Sequence, residues 1–163
     1  MSKAISTDIE KDILLAHFTI ENLHEAVYWI DEAGYIFMVN QKACELSGYS
    51  KEELMGMHVK IISPLITEKY WEENWAILKK EKKLVFERQH KNKDGHLYPI
   101  VSSNHFIEYN GNEYLCSVIS DVRKKKLEEE LLRIVSEGTM GKVGIDFYEA
   151  LAKYISNALD VDR

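Results

Sequence analysis

Six histidines (His17, His24, His58, His90, His96 and His105) and two cysteines (Cys44 and Cys116) are the side chains here with the widest chemical reach. Imidazoles and thiolates ligate metals, attack carbonyls and move protons, but each task demands a particular spacing. The cysteines stand far apart, with no CxxC and no paired Cys/His pattern. They read as buried thiols of a reducing cytoplasm rather than a disulfide or a metal site. The histidines are single imidazoles without metal-ligand spacing. No serine has the local context of an activated nucleophile. P-loop, GxGxxG, GxSxG and HExxH patterns are all missing, as are kinase and cyclase signatures. The residues therefore point to a binding module and not to an enzyme.

Composition narrows the partners. The chain has 163 residues, 45% hydrophobic and 29% charged, as expected for one globular domain with extensions. Its net charge of −6 argues against nucleic acid. The basic run Lys124, Lys125, Lys126 is balanced at once by Glu128, Glu129 and Glu130. No stretch approaches the roughly eighteen apolar residues of a membrane span, and the first residues lack a secretion-signal core. A cytoplasmic location without membrane contact by this segment is the expectation.

The elements that must position any site follow from periodicity. Residues 7–25 read as a helix: Thr7 and Glu10 have capping-box spacing, and Ile9, Ile13, Ala16, Ile20 and Leu23 recur at four-three steps. That seam suits either a coiled-coil dimer or a helix lying across its own sheet. Turn signals at 31–34, 93–95 and 110–111 separate strand-like runs at 27–30, 35–39, 84–90, 97–107 and 113–121. Between the second and third runs come short helices over 40–56, a segment at 58–62 and a longer helix over 67–82. Two strands, several helices and three strands describe an α+β domain, a five-stranded antiparallel sheet with helices on one face. Beyond it, Leu127, Leu131 and Ile134 carry a second seam through 124–137, followed by a glycine-rich break at 138–144. From Asp146 an amphipathic stripe (Phe147, Leu151, Tyr154, Ile155, Ala158, Leu159) needs a partner, which suggests a piece of a larger protein.

One segment is more specific than the rest. Asn40 can cap a helix carrying Ala43 and Leu46, Gly48 can stop it, and Ser50 with Glu53 has capping-box spacing before Gly56. The order N-x-x-A-x-x-L-x-G-Y-S-x-E-E-L-x-G resembles the signature of PAS domains, the sensory modules of signalling proteins. Phe86, Glu87 and Arg88, then Lys93, Asp94 and Gly95, then Ser120 to Arg123, resemble that family's third-strand, hairpin and strand-exit motifs. The resemblance spans about 20–126. It implies a PAS domain over 26–122, a helical extension over 1–25 and a signalling helix over 123–138. The final stretch, 139–163, resembles the opening of a GAF domain, though an unrelated amphipathic helix fits as well.

The resemblance also implies a cavity between the concave sheet face and the long helix. Aligned on that family's hairpin and strand-exit motifs at Asp94, Gly95 and Asp121, the resemblance implies that Phe86, Arg88 and His90 point inward, with Tyr28 and Ile30 entering from the first strand. Tyr98, Ile100, Ser102 and Asn104 follow on the fourth strand, and Leu115, Ser117 and Ile119 on the fifth. Tyr70, Trp71 and Trp75 would close it from the helix. A buried Arg88 needs a counter-charge, supplied by Glu87, by Glu73 or by a ligand carboxylate; otherwise it lies at the sheet edge in water. His90 is a pH-sensitive donor inside the cavity or a satisfied core histidine.

Family cofactors can be tested against these residues. Val59 stands where the flavin-binding photoreceptors need a cysteine, and their amide readers are replaced by His90, Ile100 and Ile119, which excludes a photochemical flavin–cysteine adduct. Haem sensors use a histidine on the long helix; 67–82 has none, and only Tyr70 falls near that place. His58 and His96 read as solvated. A small organic ligand remains. The resemblance then implies a sensory relay within a two-component-type protein, with Asp121 capping the exit helix and Arg123 beside it. A homodimer through the flanking helices would pass the change to a downstream output domain in cis. The alternative is a structural homodimerisation domain with a filled core, within a histidine kinase or diguanylate cyclase.

Overall fold

The computed structural model describes residues 2–139 together with Glu149. Two compact units divide the chain between Asp121 and Val122. In the first, α1 (Ser2–Glu21) precedes β1 (Ala26–Asp31) and β2 (Ile36–Val39). Then come α2 (Gln41–Ser47), α3 (Lys51–Leu54), a 3-10 turn at Val59–Ile61 and α4 (Glu68–Glu81). The unit closes with β3 (Lys83–Lys91), β4 (Leu97–Tyr109) and β5 (Asn112–Asp121). The second unit contains α5 (Arg123–Thr139).

The five strands form one antiparallel sheet in the order β2-β1-β5-β4-β3. All three expected hairpins are present. Asn110 and Gly111 both take positive φ, 51° and 76°, which turns β4 into β5 in two residues. The β1–β5 pairing brings the first and last strands together, so β5 lies at the centre of the sheet. Burial alternates along β4 and β5, and the inward side chains pack under α2, α3 and α4. The opposite face carries Trp29, Phe37, Met38, Ile107, Tyr109 and Tyr114 around a shallow hollow of about 410 Å³.

Local signals act as the sequence suggests. The Asn40 side chain caps α2 and Gly48, at φ 74°, ends it. Ser50 and Glu53 make a reciprocal capping box on α3. Both Glu53 oxygens also bind the Lys93 ammonium at 2.6 and 2.8 Å, which ties α3 to the β3–β4 hairpin. Thr67 caps α4, and Lys82 stops it in the left-handed region with its ammonium 4.3 Å from the Phe106 ring centroid.

Two boundaries differ from expectation. The first helix ends at Glu21 instead of residue 25, because the Asn22 side-chain amide donates to the Phe18 carbonyl and turns the chain toward β1. Over its first turns the seam does not lie across its own sheet: Ile9 and Ile13 are more than half exposed, as are Leu14, Leu15 and Phe18 beside the seam. The exit helix continues through Gly138 to Thr139, since one glycine costs a helix only about 1 kcal/mol. The rest of the glycine-rich break and the GAF-like helix lie outside the described residues, apart from Glu149.

Asn40 does more than cap. Its Oδ1 accepts from the backbone amides of Val27 (2.9 Å) and Ala43 (3.0 Å). Its Nδ2 donates to the carbonyls of Ile20 and Glu25, both at 3.0 Å. All four bonding positions of a fully buried amide are thus filled. Asn40→Ala should lower the unfolding free energy by roughly 3 kcal/mol, the sum of a lost cap and stranded backbone groups. Urea denaturation of both proteins measures it, and a loss below about 1 kcal/mol would mean water replaces the amide.

Candidate functional site

The inner sheet face is built from strand alternation and register. Pairing sets Tyr28 opposite Ser117 and Ser117 opposite Asn104; it sets Ile119 opposite Ser102 and Ser102 opposite Phe86. One row further, Ile100 faces Arg88, and Tyr98 faces His90. Across from this face, α4 presents Tyr70, Trp71 and Trp75. The indole Nε1 of Trp71 donates to the Glu32 carbonyl at 2.8 Å, and that of Trp75 to the Glu113 carboxylate at 3.0 Å. Glu113 also pairs with Lys79 of the same helix. These bonds hold the aromatic wall over the sheet.

Two cavities of about 40 Å³ each lie between the wall and the sheet. One is lined by Tyr70, Trp75, Leu84 and Phe86 among others, the second by Tyr28, Ile30, Ser63, His90, Ser102, Ser117 and Ile119 among others. Ile66, Trp71, Arg88, Asn104 and Leu115 line both. Each holds the equivalent of about three water molecules, an order of magnitude below a pocket for a drug-sized ligand.

Polar groups converge on this space. The hydroxyls of Ser102 and Ser117 donate to Asn104 Oδ1 at 2.8 and 2.7 Å. Arg88 Nη2 donates to the Tyr70 hydroxyl at 2.9 Å, with its guanidinium carbon 4.3 Å from the Phe86 ring centroid. The Phe86 ring and the Tyr70 phenol stand beside Arg88, and Glu87 alternates to the opposite sheet face. Ser63 Oγ and His90 Nδ1 are buried with no hydrogen-bond partner. Burial, and then the Arg88 charge, lower the His90 pKa to about 4, so the ring is neutral at neutral pH.

Tyr98 and Ile100 also point inward and are buried in the same core, outside the lining of these two cavities. Asp121 ends β5, and the first backbone bond of α5 runs from Lys126 N to Val122 O. Arg123 opens the helix. His58 is not simply solvated: it is half-buried, edge-on to Tyr35 at 5.1 Å, and its Nδ1 accepts from Lys60 N. The cysteines are half-buried thiols rather than core residues. Among the described residues, no group of three or more His, Cys, Asp or Glu side chains is placed to hold a metal. Periodicity missed Ser63, Ile66, Leu84 and Phe106. The last two simply extend the alternation by one step, but Ser63 sits in a loop where no repeat assigns a direction.

The family model described as PAS fold matches residues 17–122. The chain belongs to the PAS family. A curated relative, the methyl sulfide methyltransferase-associated sensor of Methanosarcina acetivorans, is 31% identical over 118 residues. That match covers 70% of this chain but only 12% of the relative, so the chain spans a small part of the relative's length. The PAS domain of an HTR-like protein from Haloarcula marismortui superposes with a TM-score of 0.66 at 18% identity, over 73% of this chain and 98% of that one. A PAS domain from Colwellia psychrerythraea gives 0.61 at 24% identity, over 69% and 98%. PAS domains are sensory and non-catalytic, and no described helix is long and apolar enough to cross a membrane.

The depressed His90 pKa has a signed consequence. Between the ordinary value of 6.5 and about 4, the unfolded chain takes up a proton that the folded PAS domain excludes. Stability from this residue is complete above pH 6.5 and declines as pH falls toward 4, by roughly 3 kcal/mol in total. His90→Gln should flatten that part of the curve. Urea midpoints for both proteins between pH 7 and 4 test it; parallel curves would show that His90 keeps an ordinary pKa.

Proposed function

We propose that this PAS domain is a sensory input module that binds a small ligand on its inner sheet face and relays a conformational change through α5 to a downstream output domain. The observation that carries this reading is the buried polar set. Ser63, His90, Ser102, Asn104 and Ser117 are each at most 9% exposed, where an inert core would be cheaper to build from apolar side chains. The relay has a short route. β5 supplies Leu115, Ser117 and Ile119 to the site, and the chain passes from Asp121 through Val122 directly into α5. The curated relative is itself named a sensor. A two-component-type protein, cytoplasmic and homodimeric through α1 and α5, is consistent with the exposed seam of α1 and the four-three seam of α5.

A second reading is favoured by the size of the cavities. At about 40 Å³ each, they suit a nearly filled core, and the domain then serves as a homodimerisation element inside a histidine kinase or diguanylate cyclase. The exposed aromatic face of the sheet fits that role.

Two measurements separate these readings. Native mass spectrometry of the purified chain should show a mass above the denatured value, reporting a retained small molecule. In the full-length protein, Asp121→Ala should uncouple output, change hydrogen exchange in α5 and leave the exposed-site unfolding midpoint within about 0.5 kcal/mol. Unchanged output together with unchanged α5 exchange would refute the relay.

A further inference from the structure

Among the residues lining the two inner cavities, Arg88 carries the one permanent charge, and no carboxylate lines either cavity. Its guanidinium has five N–H donors, of which the Tyr70 phenol takes one. The guanidinium carbon lies over the Phe86 ring, 4.3 Å from its centroid, a cation–π contact. A half-buried cation without a counter-ion is costly, and an anion is the group that relieves the cost.

Asn104 lines both cavities beside Arg88. Its Oδ1 is occupied by two serine hydroxyls, so its free function is the Nδ2 amine, a donor. Two independent features mark the second cavity. Ser63 is 1% exposed and His90 4% exposed; both line that cavity, and each has a buried polar atom without a partner. Apart from Tyr28 and the Ser102 and Ser117 hydroxyls, the remaining wall is mainly apolar and includes Ile30, Ile66, Leu115 and Ile119. The site thus offers one cation and a neutral donor at its centre, an apolar end, and room for roughly six non-hydrogen atoms in the two cavities together. A dicarboxylate would leave its second charge unpaired, and an aromatic cofactor exceeds the space.

Resting on the reading of this face as a ligand site, we propose that it takes a short-chain monocarboxylate, with the carboxylate on Arg88 and Asn104 and the alkyl chain against the isoleucines and Leu115. Arginine suits this task because its planar fork matches the two carboxylate oxygens. The Ser63 hydroxyl and His90 ring then supply partners for a polar substituent on the chain.

The test is calorimetric titration of the 163-residue chain with acetate, propionate, butyrate and isovalerate, against propionamide, 1-propanol and inorganic phosphate. The acids should bind saturably, and propionate roughly tenfold or more tighter than propionamide. Arg88→Gln should remove that preference while circular dichroism and the urea midpoint show a folded protein; Arg88→Lys should restore part of it. Equal binding of acid and amide, or unaltered acid binding by Arg88→Gln, overturns the carboxylate assignment and leaves the ligand site standing. Preference for phosphate, or a molecule retained in native mass spectrometry that is not a carboxylic acid, overturns it in the same way. No binding by any probe, with no retained mass, removes the ligand site as well.

Discussion

The buried amide of Asn40 sits where α1, β1 and α2 meet, and the geometry of the site depends on that junction. A helix end leaves carbonyls unpaired and a helix start leaves amides unpaired. Here one side chain answers both, donating toward Ile20 and Glu25 and accepting from Val27 and Ala43. The Asn40 backbone amide donates to the Val27 carbonyl as well, so the entry to α2 is fastened to β1 from both sides. Tyr28, the next residue along β1, then reaches the Ala43 carbonyl with its hydroxyl at 3.3 Å. Because β1 pairs with β5, an error at this junction would propagate into the strand that carries Leu115, Ser117 and Ile119. Aspartate could cap α2 but could not donate to two carbonyls, which is why the residue type matters here.

Much of this was legible from residue order, and the reason is physical. Caps, stops and tight turns are local: Asn40, Gly48, Ser50, Glu53 and Asn110–Gly111 act within a few residues of themselves, so their spacing states their role. Strand alternation is equally local once the turns fix its phase, and this is how Phe86, Arg88, His90, Ser102, Asn104 and Ser117 could be assigned to one face. What escaped depends on contacts distant in sequence. Whether Arg88 meets a carboxylate or a phenol is decided by the approach of α4, eighteen residues earlier, and no spacing rule reports it. Tyr98 and Ile100 share the inward direction with Ser102 but stand outside the lining of the two described cavities, a difference that alternation alone does not report. The far end of α1 was misjudged because a continuing apolar seam conceals a stop made by the side chain of Asn22.

The two faces of the sheet make opposite arrangements of the same materials. Outside, the tilted rings of Trp29, Phe37 and Tyr114 lie with neighbouring centroids 5.3–6.4 Å apart around a broad, shallow, largely apolar hollow. Inside, the aromatic residues form a lid, and polar side chains stand beneath it where hydrophobic ones would pack more cheaply. Burying five polar residues under Trp71 and Trp75 weakens the fold, and the hydrogen bonds among Ser102, Asn104 and Ser117 recover only part of the cost. A sheet selected only for stability would carry apolar side chains beneath the aromatic lid.

That asymmetry also bears on how a signal would leave the domain. The α4 wall is held at both ends by bonds to fixed points, Trp71 to the Glu32 carbonyl and Trp75 with Lys79 to Glu113. Glu113 lies on β5, the same strand whose inward residues line the site and whose last residue precedes Val122. A group entering the cavities must therefore displace either the aromatic wall or β5, and the wall is itself fastened to β5 through Glu113. Interiors are too densely packed to absorb such a shift as uniform compression. On the proposed reading, the displacement follows the stiffest continuous path available, along a central strand bonded on both edges, and emerges where β5 becomes α5.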